Sequence, residues 1–389
     1  MSRPTRVLID LFYCQAALSG IRTYTTELVL GARLHGSAAI DYRFSHSLEE
    51  RLQQQRYLNP DSRWRRWWFH ALYWWWKQVG LPLQLIKHRP DVLICPDFVA
   101  PRFGKPRTLV VIHDALFWQY PQHYKKHWRR YFTRLVHWGI GRQTTLVTTS
   151  NHAAGKLRHY LPTDRPIAVV YQSFLRASNA GAPVLDKWGL SAQGYLLHVG
   201  SFDPRKDLFT LVRAFRRLKE ASENPGLKLV LAGETTVHGH RVVYDEICDY
   251  LQRHGLSGEV IMPGYLSKAA ITTLYQQARL YVFPSLEEGF GIPLLEAFSA
   301  GVPVLASDMG ALREIGADAA QYVKAGDPEA LSDALRLLLA DEEAQKSLVK
   351  RGRQRLNFFS RKQFIQDFEK LILSPVNQPP QSIQDVRNS

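Results

Sequence analysis

Tyr195-Leu196-Leu197-His198-Val199-Gly200-Ser201-Phe202-Asp203-Pro204-Arg205-Lys206-Asp207-Leu208-Phe209-Thr210-Leu211-Val212-Arg213-Ala214-Phe215-Arg216-Arg217-Leu218 decides the fold. The first six residues read as a short strand ending at a glycine. Asp207 is a capping residue, and after it Leu208, Leu211, Val212, Phe215 and Leu218 recur at helical spacing. Working outward, β-rich runs return at Leu227–Gly233, Glu259–Pro263, Leu280–Pro284, Val302–Ser307 and Ala320–Val323. Helical patterns fill most of the gaps, one from Ser267 and one from Asp327-Pro328, a cap followed by proline in the first turn. Strand and helix in alternation predict a parallel sheet covered on both faces.

The first half repeats the theme less regularly. Strands are expected at Arg6–Phe12, Asp91–Cys95, Leu109–His113, Leu146–Thr149 and Ile167–Tyr171, and helices near 21–34, 124–141 and 152–160. Between Phe174 and Gly194 the chain turns to Ser, Asn, Ala, Gly and Pro, a linker composition. The fold class is therefore α/β, with two doubly wound, Rossmann-like domains facing across a cleft and ligands beyond the carboxyl ends of the strands. The expected domains are 1–176 and 190–355. A C-terminal helix over 356–373, able to cross back to the first domain, precedes a disordered tail over 374–389.

Charge divides the chain along the same line. Its 389 residues carry a formal +15, yet residues 1–178 hold 26 Lys+Arg against 10 Asp+Glu, and the remainder holds 24 against 25. Nine of the ten Trp also lie in the first half. An anionic surface is the natural partner for that half. No apolar run reaches the ~18–20 residues of a membrane-spanning helix. The N-terminus enters a strand-like run directly, so no secretory signal is expected. Three scattered cysteines, Cys14, Cys95 and Cys248, point to a reducing compartment and to neither a disulfide framework nor a zinc site. The expected location is the cytoplasm.

The densest chemical signal is Phe283-Pro284-Ser285-Leu286-Glu287-Glu288-Gly289-Phe290-Gly291-Ile292-Pro293-Leu294-Leu295-Glu296-Ala297. A strand ends, a loop with two glycines lets backbone approach a ligand, and Pro293 opens a helix that Gly301 closes. Free amides at such a helix start suit a diphosphate. Glu288 on the loop and Glu296 one turn into the helix lie at different depths of one pocket. Carboxylates beside a phosphate site are best used to accept hydrogen bonds from hydroxyls, and this pairing points to a sugar nucleotide. A plain glycine turn, with a glutamate complementing the helix dipole, is the structural alternative.

These residues resemble the Glu-x7-Glu motif of glycosyltransferase family 4, retaining enzymes of the GT-B fold. Val199-Gly200-Ser201-Phe202-Asp203-Pro204-Arg205-Lys206-Asp207, Pro263-Gly264-Tyr265-Leu266-Ser267 and Ala300-Gly301-Val302-Pro303-Val304 are similar to further motifs of that family, in the right order. In the first half, Ser19-Gly20-Ile21-Arg22-Thr23-Tyr24, Pro90-Asp91-Val92-Leu93, Val111-Ile112-His113-Asp114 and Thr149-Ser150 resemble its acceptor-side motifs. With Trp76-Lys77-Gln78-Val79-Gly80-Leu81-Pro82 they look like the mannosyltransferase-like branch of bacterial polysaccharide and lipopolysaccharide assembly. Gly20 keeps one glycine where the family has more, and Tyr171-Gln172-Ser173-Phe174 departs from its hinge motif.

The resemblance implies roles. The first domain would bind acceptor and the second donor. Arg205 and Lys206 would neutralise a departing nucleoside diphosphate; Glu288 would contact the transferred sugar and Glu296 the ribose. Gly289, Phe290, Gly291 and Ile292 would supply amides to sugar hydroxyls and phosphate, and Gly20, Gly200, Gly264, Tyr265 and Leu266 would complete the donor pocket. His113 would lie near the reacting face, with Asp114 orienting it or capping the next segment. The implied mechanism is front-face attack assisted by the leaving phosphate, with Glu288 not a nucleophile. No Asp-x-Asp occurs in the chain, so no metal and no cofactor beyond the nucleotide sugar is expected.

The segment Arg63-Trp64-Arg65-Arg66-Trp67-Trp68-Phe69-His70-Ala71-Leu72-Tyr73-Trp74-Trp75-Trp76-Lys77 is too short to span a bilayer. At helical spacing Trp64, Trp67, Trp68, Ala71, Leu72 and Trp75 share a face, while Arg65, Arg66, His70 and Lys77 tend to the other. That is the pattern of an in-plane helix on anionic lipid; a helix packed on the first domain is the structural alternative. Lys125, Lys126, Arg129 and Arg130 form a second basic patch interleaved with aromatics.

The expected function is transfer of α-mannose from GDP-mannose to a polyprenyl-diphosphate-linked oligosaccharide, by an enzyme lying peripherally on the inner face of the cytoplasmic membrane. A UDP-sugar-dependent glucosyl or GlcNAc transferase is the alternative within the family. A nucleic-acid binder gripping phosphates and stacking bases is the alternative from another class, and it leaves the donor motifs without a use. A scaffold with a dead site is disfavoured because Glu288, Glu296, Arg205 and Lys206 are all present; no nucleic-acid partner is expected.

Overall fold

A computed structural model describes residues 3–15, 20–53, 63–104, 106–161, 163–174, 185–221, 224–237 and 241–375, without the side chains of 63–67 and 123. The expected disordered tail falls almost wholly outside them, as do most residues of the expected linker. The chain divides into two compact units, Met1–Phe174 with Phe359–Ser389, and Leu175–Phe358.

In the first unit six strands run parallel: β1 (Thr5–Ile9), β2 (Ile40–Phe44), β3 (Val92–Cys95), β4 (Arg107–Val111), β5 (Thr144–Thr148) and β6 (Ile167–Val169). Their order is β2-β1-β3-β4-β5-β6. Along β1 the side chains alternate between two cores: Val7 and Ile9 enter one, Leu8 the other. Both faces of the sheet are covered, which is why its central strands read as nearly unbroken apolar runs. β2 is absent from the sequence reading. Its Ile-Asp-Tyr-Arg-Phe alternation is an edge strand's pattern, with only Ile40 fully buried.

The helix Arg361–Leu373 belongs to this unit, burying Phe364, Ile365, Phe368, Leu371 and Ile372 in the core shared by Val7 and Ile9. Arg361 grips buried Glu27 with two bonds of 3.0 and 2.7 Å, and Arg107 donates to the carbonyls of Leu371 and Ile372. Gly31 permits the close approach: a Cβ there would sit 3.3 Å from Arg361 Cγ.

The second unit holds β7 (Tyr195–Val199), β8 (Lys228–Ala232), β9 (Val260–Gly264), β10 (Leu280–Phe283), β11 (Val304–Ser307) and β12 (Gln321–Val323), all parallel, in the order β12-β11-β10-β7-β8-β9. The helix Leu208–Glu220 buries Leu208, Leu211, Val212, Phe215 and Leu218, the five positions its spacing singled out. Ser267 and Asp327 cap the following helices by accepting from the amides of Ala270 and Ala330. In doubly wound sheets the ligand crevice lies where strand order reverses, outside the carboxyl ends. Here that point falls between β7 and β10, and in the first unit between β1 and β3.

Candidate functional site

In the second unit, the loops after β7 and β10 meet over the reversal point. Asp203 accepts from the Arg205 amide at 3.0 Å and so turns the chain just past β7. The Leu286 amide donates 2.8 Å to the Arg205 carbonyl, binding one loop to the other. Lys206 then donates to the Glu288 carboxylate, and Ser285 Oγ donates to the same carboxylate oxygen at 2.9 Å. Both members of this ion pair are only about one-tenth exposed, at 13% and 12%. Arg205 is held edge-on by Asp203, with its Nε and Nη bonds at 3.0 and 3.1 Å. The two cations expected for a diphosphate are thus each matched by a carboxylate. Their charge is fixed in place beforehand rather than left on mobile side chains.

From Glu288 the chain passes through Gly289 and buried Phe290 to Gly291 at φ +103°, a backbone region that favours glycine. A Cβ at Gly291 would also meet Leu312 Cδ2 at 2.9 Å. The helix Ile292–Ala300 starts there, with proline in its first turn, and Gly301 ends it at φ +74°. Glu296, one turn in, is partly buried, and the Tyr275 hydroxyl lies 3.5 Å from its carboxylate. Burial raises its pKa to about 7, an effect reduced by the charge of Lys268. Gly200, Gly264, Tyr265 and Leu266 sit at the carboxyl ends of β7 and β9. The Gly233 amide, which follows β8, donates 3.0 Å to the Gly264 carbonyl; Tyr265 is exposed and Leu266 half-buried. Lys206, Glu288, Arg205 and Gly200 are therefore brought together, and Glu296 stands behind them on the helix.

In the first unit His113 follows β4 and is partly buried. Its Nε2 donates 2.8 Å to the Pro96 carbonyl, and the ring packs edge-on against Tyr24 at 4.8 Å. Burial lowers its pKa to about 4, so the imidazole is neutral. Asp114 accepts from the Leu116 amide at 3.1 Å, just before the next helical turn; a carbonyl rather than this carboxylate holds His113 Nε2. Gly20 opens the helix Gly20–His35, and nothing lies within 4 Å of where its Cβ would be.

The Trp-rich segment folds as a helix over Arg63–Trp75 and continues through a wider π turn, Trp76–Gly80, into Leu81–His88. Lys77 overturns its expected place on the outer polar face. It is buried at 1% exposure, donating to Asp10 at 2.7 Å and to Asp97 at 2.6 Å. The physical reason is a second aromatic stripe, Phe69, Tyr73 and Trp76, that packs on Phe12 and turns that side of the helix inward. Trp76 Nε1 donates to Asp10 and the Tyr73 hydroxyl to Asp97, each at 3.0 Å. Asp10 and Asp97 follow β1 and β3, so this cluster fills the first unit's reversal point. Sequence reading missed it, although a carboxylate one or two residues past each strand is its visible trace.

The opposite face is open. Trp68, Leu72, Trp75 and Val79 are exposed by 62%, 49%, 47% and 38%. His70 touches Trp128 (centroids 6.4 Å apart), joining this helix to the helix Lys126–Gly139. Lys125, Lys126 and Arg130 are exposed there and Arg129 is half-buried. The side chains of Arg65, Arg66 and Trp67 lie outside the described residues. Among the described residues no helix is long and apolar enough to cross a membrane.

Comparison with known proteins assigns this architecture. Residues 186–355 match the family described as Glycosyl transferases group 1. Over 272 residues the chain is 28% identical to O-antigen chain mannosyltransferase B of Escherichia coli, covering 68% of this chain and 69% of that one. Over 186 residues it is 32% identical to a phosphatidyl-myo-inositol mannosyltransferase of Mycolicibacterium smegmatis, covering 46% and 45%. Among solved structures, Anabaena Alr3699/HepE in complex with UDP and glucose superposes with a TM-score of 0.68 at 13% identity, over 96% of this chain and all of that one. WaaG, a glycosyltransferase of lipopolysaccharide biosynthesis, gives 0.64 at 16%, over 95% and all. The fold is that of GT-B structures, and the second unit carries a group 1 glycosyltransferase domain.

Proposed function

We propose that the chain is a retaining hexosyltransferase that moves α-mannose from GDP-mannose to a polyprenyl-diphosphate-linked oligosaccharide in exopolysaccharide or lipopolysaccharide synthesis. The observation that carries the reading is the Lys206–Glu288 pair over the strand reversal, beside a glycine loop that opens a helix. Lys206 and Arg205 stabilise charge as the sugar C1–O bond to the diphosphate breaks, and the amides of Gly289, Phe290 and Gly291 hold sugar hydroxyls and phosphate. Glu288 accepts from sugar hydroxyls and Glu296 from the ribose. The acceptor hydroxyl attacks the same face of C1 and gives its proton to the departing phosphate oxygen. Glu288 already receives two donors, Lys206 and Ser285, which suits an acceptor of hydrogen bonds better than a nucleophile. The mannosyl preference draws on the two mannosyltransferase relatives.

A UDP-sugar is the second reading, favoured by the shared fold of the UDP complex of HepE. A thermal-shift panel of GDP-mannose, UDP-glucose, UDP-GlcNAc, GDP and UDP separates the two. Stabilisation by guanosine species alone is the expected result, and stabilisation by uridine species alone replaces mannose with the second reading. Transfer is proposed to need no metal, so activity persists in EDTA; loss with chelator and rescue by Mn²⁺ would count against this. The open face of Trp68, Leu72, Trp75 and Val79, with Lys125, Lys126 and Arg130 on the adjoining helix, is proposed to rest on the anionic inner face of the cytoplasmic membrane, where a lipid-linked acceptor is found.

A further inference from the structure

His198 is an imidazole at 0% exposure in a strand otherwise made of Tyr, Leu and Val. Its Nδ1 lies 3.0 Å from the Val282 carbonyl of neighbouring β10. A carbonyl only accepts, so Nδ1 carries the proton and Nε2 is a bare lone pair. Burial lowers the ring's pKa to about 4, which keeps it neutral. Nε2 has no hydrogen-bond partner, a costly state for a buried polar atom. It points toward the loop after β7: a Cβ placed on Gly200 would lie 2.8 Å from Nε2 and 3.7 Å from Lys206 Cε. Glycine at 200 leaves open the space that separates the imidazole from the lysine stem. The Lys206 ammonium stands 5.6 Å from the centre of the Phe283 ring, which also packs against Tyr281 at 5.7 Å and His198 at 6.1 Å.

We propose that His198 is a positioning residue for Lys206, its Nε2 accepting a hydrogen bond from the Lys206 ammonium when a nucleoside diphosphate occupies the site. The inference rests on the nucleotide-sugar reading given above. An ammonium has three N–H donors and no acceptor. Without nucleotide, Lys206 spends one of them on Glu288. When a diphosphate draws the ammonium off Glu288, the lysine is free to swing, and four rotatable bonds would spread its charge over many positions. A fixed acceptor at its inner side holds the ammonium so that another N–H faces the diphosphate. A neutral imidazole suits this task because a protonated ring would repel the ammonium.

The test is calorimetric titration of UDP and GDP into the full chain and into His198→Phe, His198→Gln and Lys206→Met, with the double variants. Gln places an acceptor close to Nε2, whereas Phe fills the space without one. The expected result is about tenfold weaker nucleotide binding in His198→Phe and binding within about threefold of the parent chain in His198→Gln. Lys206→Met should cost much less in the His198→Phe background than in the parent. A merely structural role would shift melting temperature in both histidine variants without changing that coupling. If the parent chain binds UDP or GDP and His198→Phe binds it equally, the inference falls alone. Equal losses in Phe and Gln would also overturn it, and binding of neither nucleotide by the parent would overturn both it and the functional reading.

Discussion

Lys206 donates to Glu288 across 82 positions of sequence, and the two meet because β7 and β10 are neighbours where the second sheet reverses its order. The first sheet repeats the device at its own reversal, where Lys77 lies between Asp10 and Asp97. The two clusters differ in exposure. Lys77 and its carboxylates are sealed among Trp76, Tyr73 and Phe12, whereas Lys206 and Glu288 keep about one-tenth of their side-chain surface open. The sealed cluster sets structure, and the open one can exchange its partner for a ligand.

Replacing either member of the open pair should therefore act on turnover. Lys206→Met and Glu288→Gln are each expected to lower kcat with the correct donor by on the order of 10²–10³-fold. Because the two act as a unit, the double variant should fall little below the worse single one. Steady-state assays of the three variants decide this; independent, multiplying losses would contradict it.

The sealed cluster predicts a stability effect. Lys77→Met leaves two buried carboxylates without their counter-ion and should cost about 3–5 kcal/mol in chemical denaturation. Burial raises Asp97 to about 6 even with Lys77 beside it. Lys77 keeps Asp10 below its ordinary value against the opposing effect of burial, so without the lysine burial pushes both carboxyls above their unfolded values. The folded variant then binds more protons than its unfolded chain, so its stability falls as pH rises. The deficit should be smallest near pH 5 and largest above pH 7. Lys77→Met/Asp97→Asn should recover much of it.

How much of this was legible in the sequence follows from the range of each interaction. The helix Leu208–Glu220 could be read residue by residue, because its apolar spacing and its burial are the same fact. The glycine loop was legible for a similar reason, since Gly291 and Gly301 have local backbone needs. The place of Lys77 was not. Periodicity found two sides of the Trp-rich helix but could not tell which would meet the sheet, because Lys77's carboxylate partners stand 67 positions before it and 20 after it. His198 was invisible because its meaning depends on a carbonyl of β10, 84 positions away. β2 was overlooked although its alternation was present, because an edge strand with one buried residue gives a weak apolar signal.

Glu296 carries a pH prediction. Its folded-state pKa of about 7, raised by burial, lies above the ordinary glutamate value of about 4.3. Below about 4.3 both folded and unfolded chains hold the proton; between there and 7 only the folded chain does. Its contribution to stability is thus present at low pH and is lost as pH rises through 7. Glu296→Gln should flatten the drop in melting temperature between pH 5 and pH 8. If the ionised carboxylate accepts from ribose, nucleotide affinity in the parent should rise over the same interval, with proton release visible as a buffer-dependent calorimetric heat. A pH-independent affinity would argue against the ribose contact.

The Trp-rich helix offers a test in which one element carries two opposite outcomes. Trp68 and Trp75 are 62% and 47% exposed, and removing them takes little from the core. Trp76 is 7% exposed, stacks on Phe12 at 5.4 Å and donates to Asp10. Trp68→Ser with Trp75→Ser should leave the melting temperature nearly unchanged and sharply reduce sedimentation with vesicles rich in phosphatidylglycerol. Trp76→Ala should do the reverse, costing about 3–5 kcal/mol of stability. Lys125→Gln with Lys126→Gln and Arg130→Gln should weaken vesicle binding by about 1 kcal/mol per charge, and the loss should shrink at high salt. Vesicle binding unaffected by both sets of surface changes would remove the membrane from the account of this face. Its exposed aromatics would then need a protein partner to cover them.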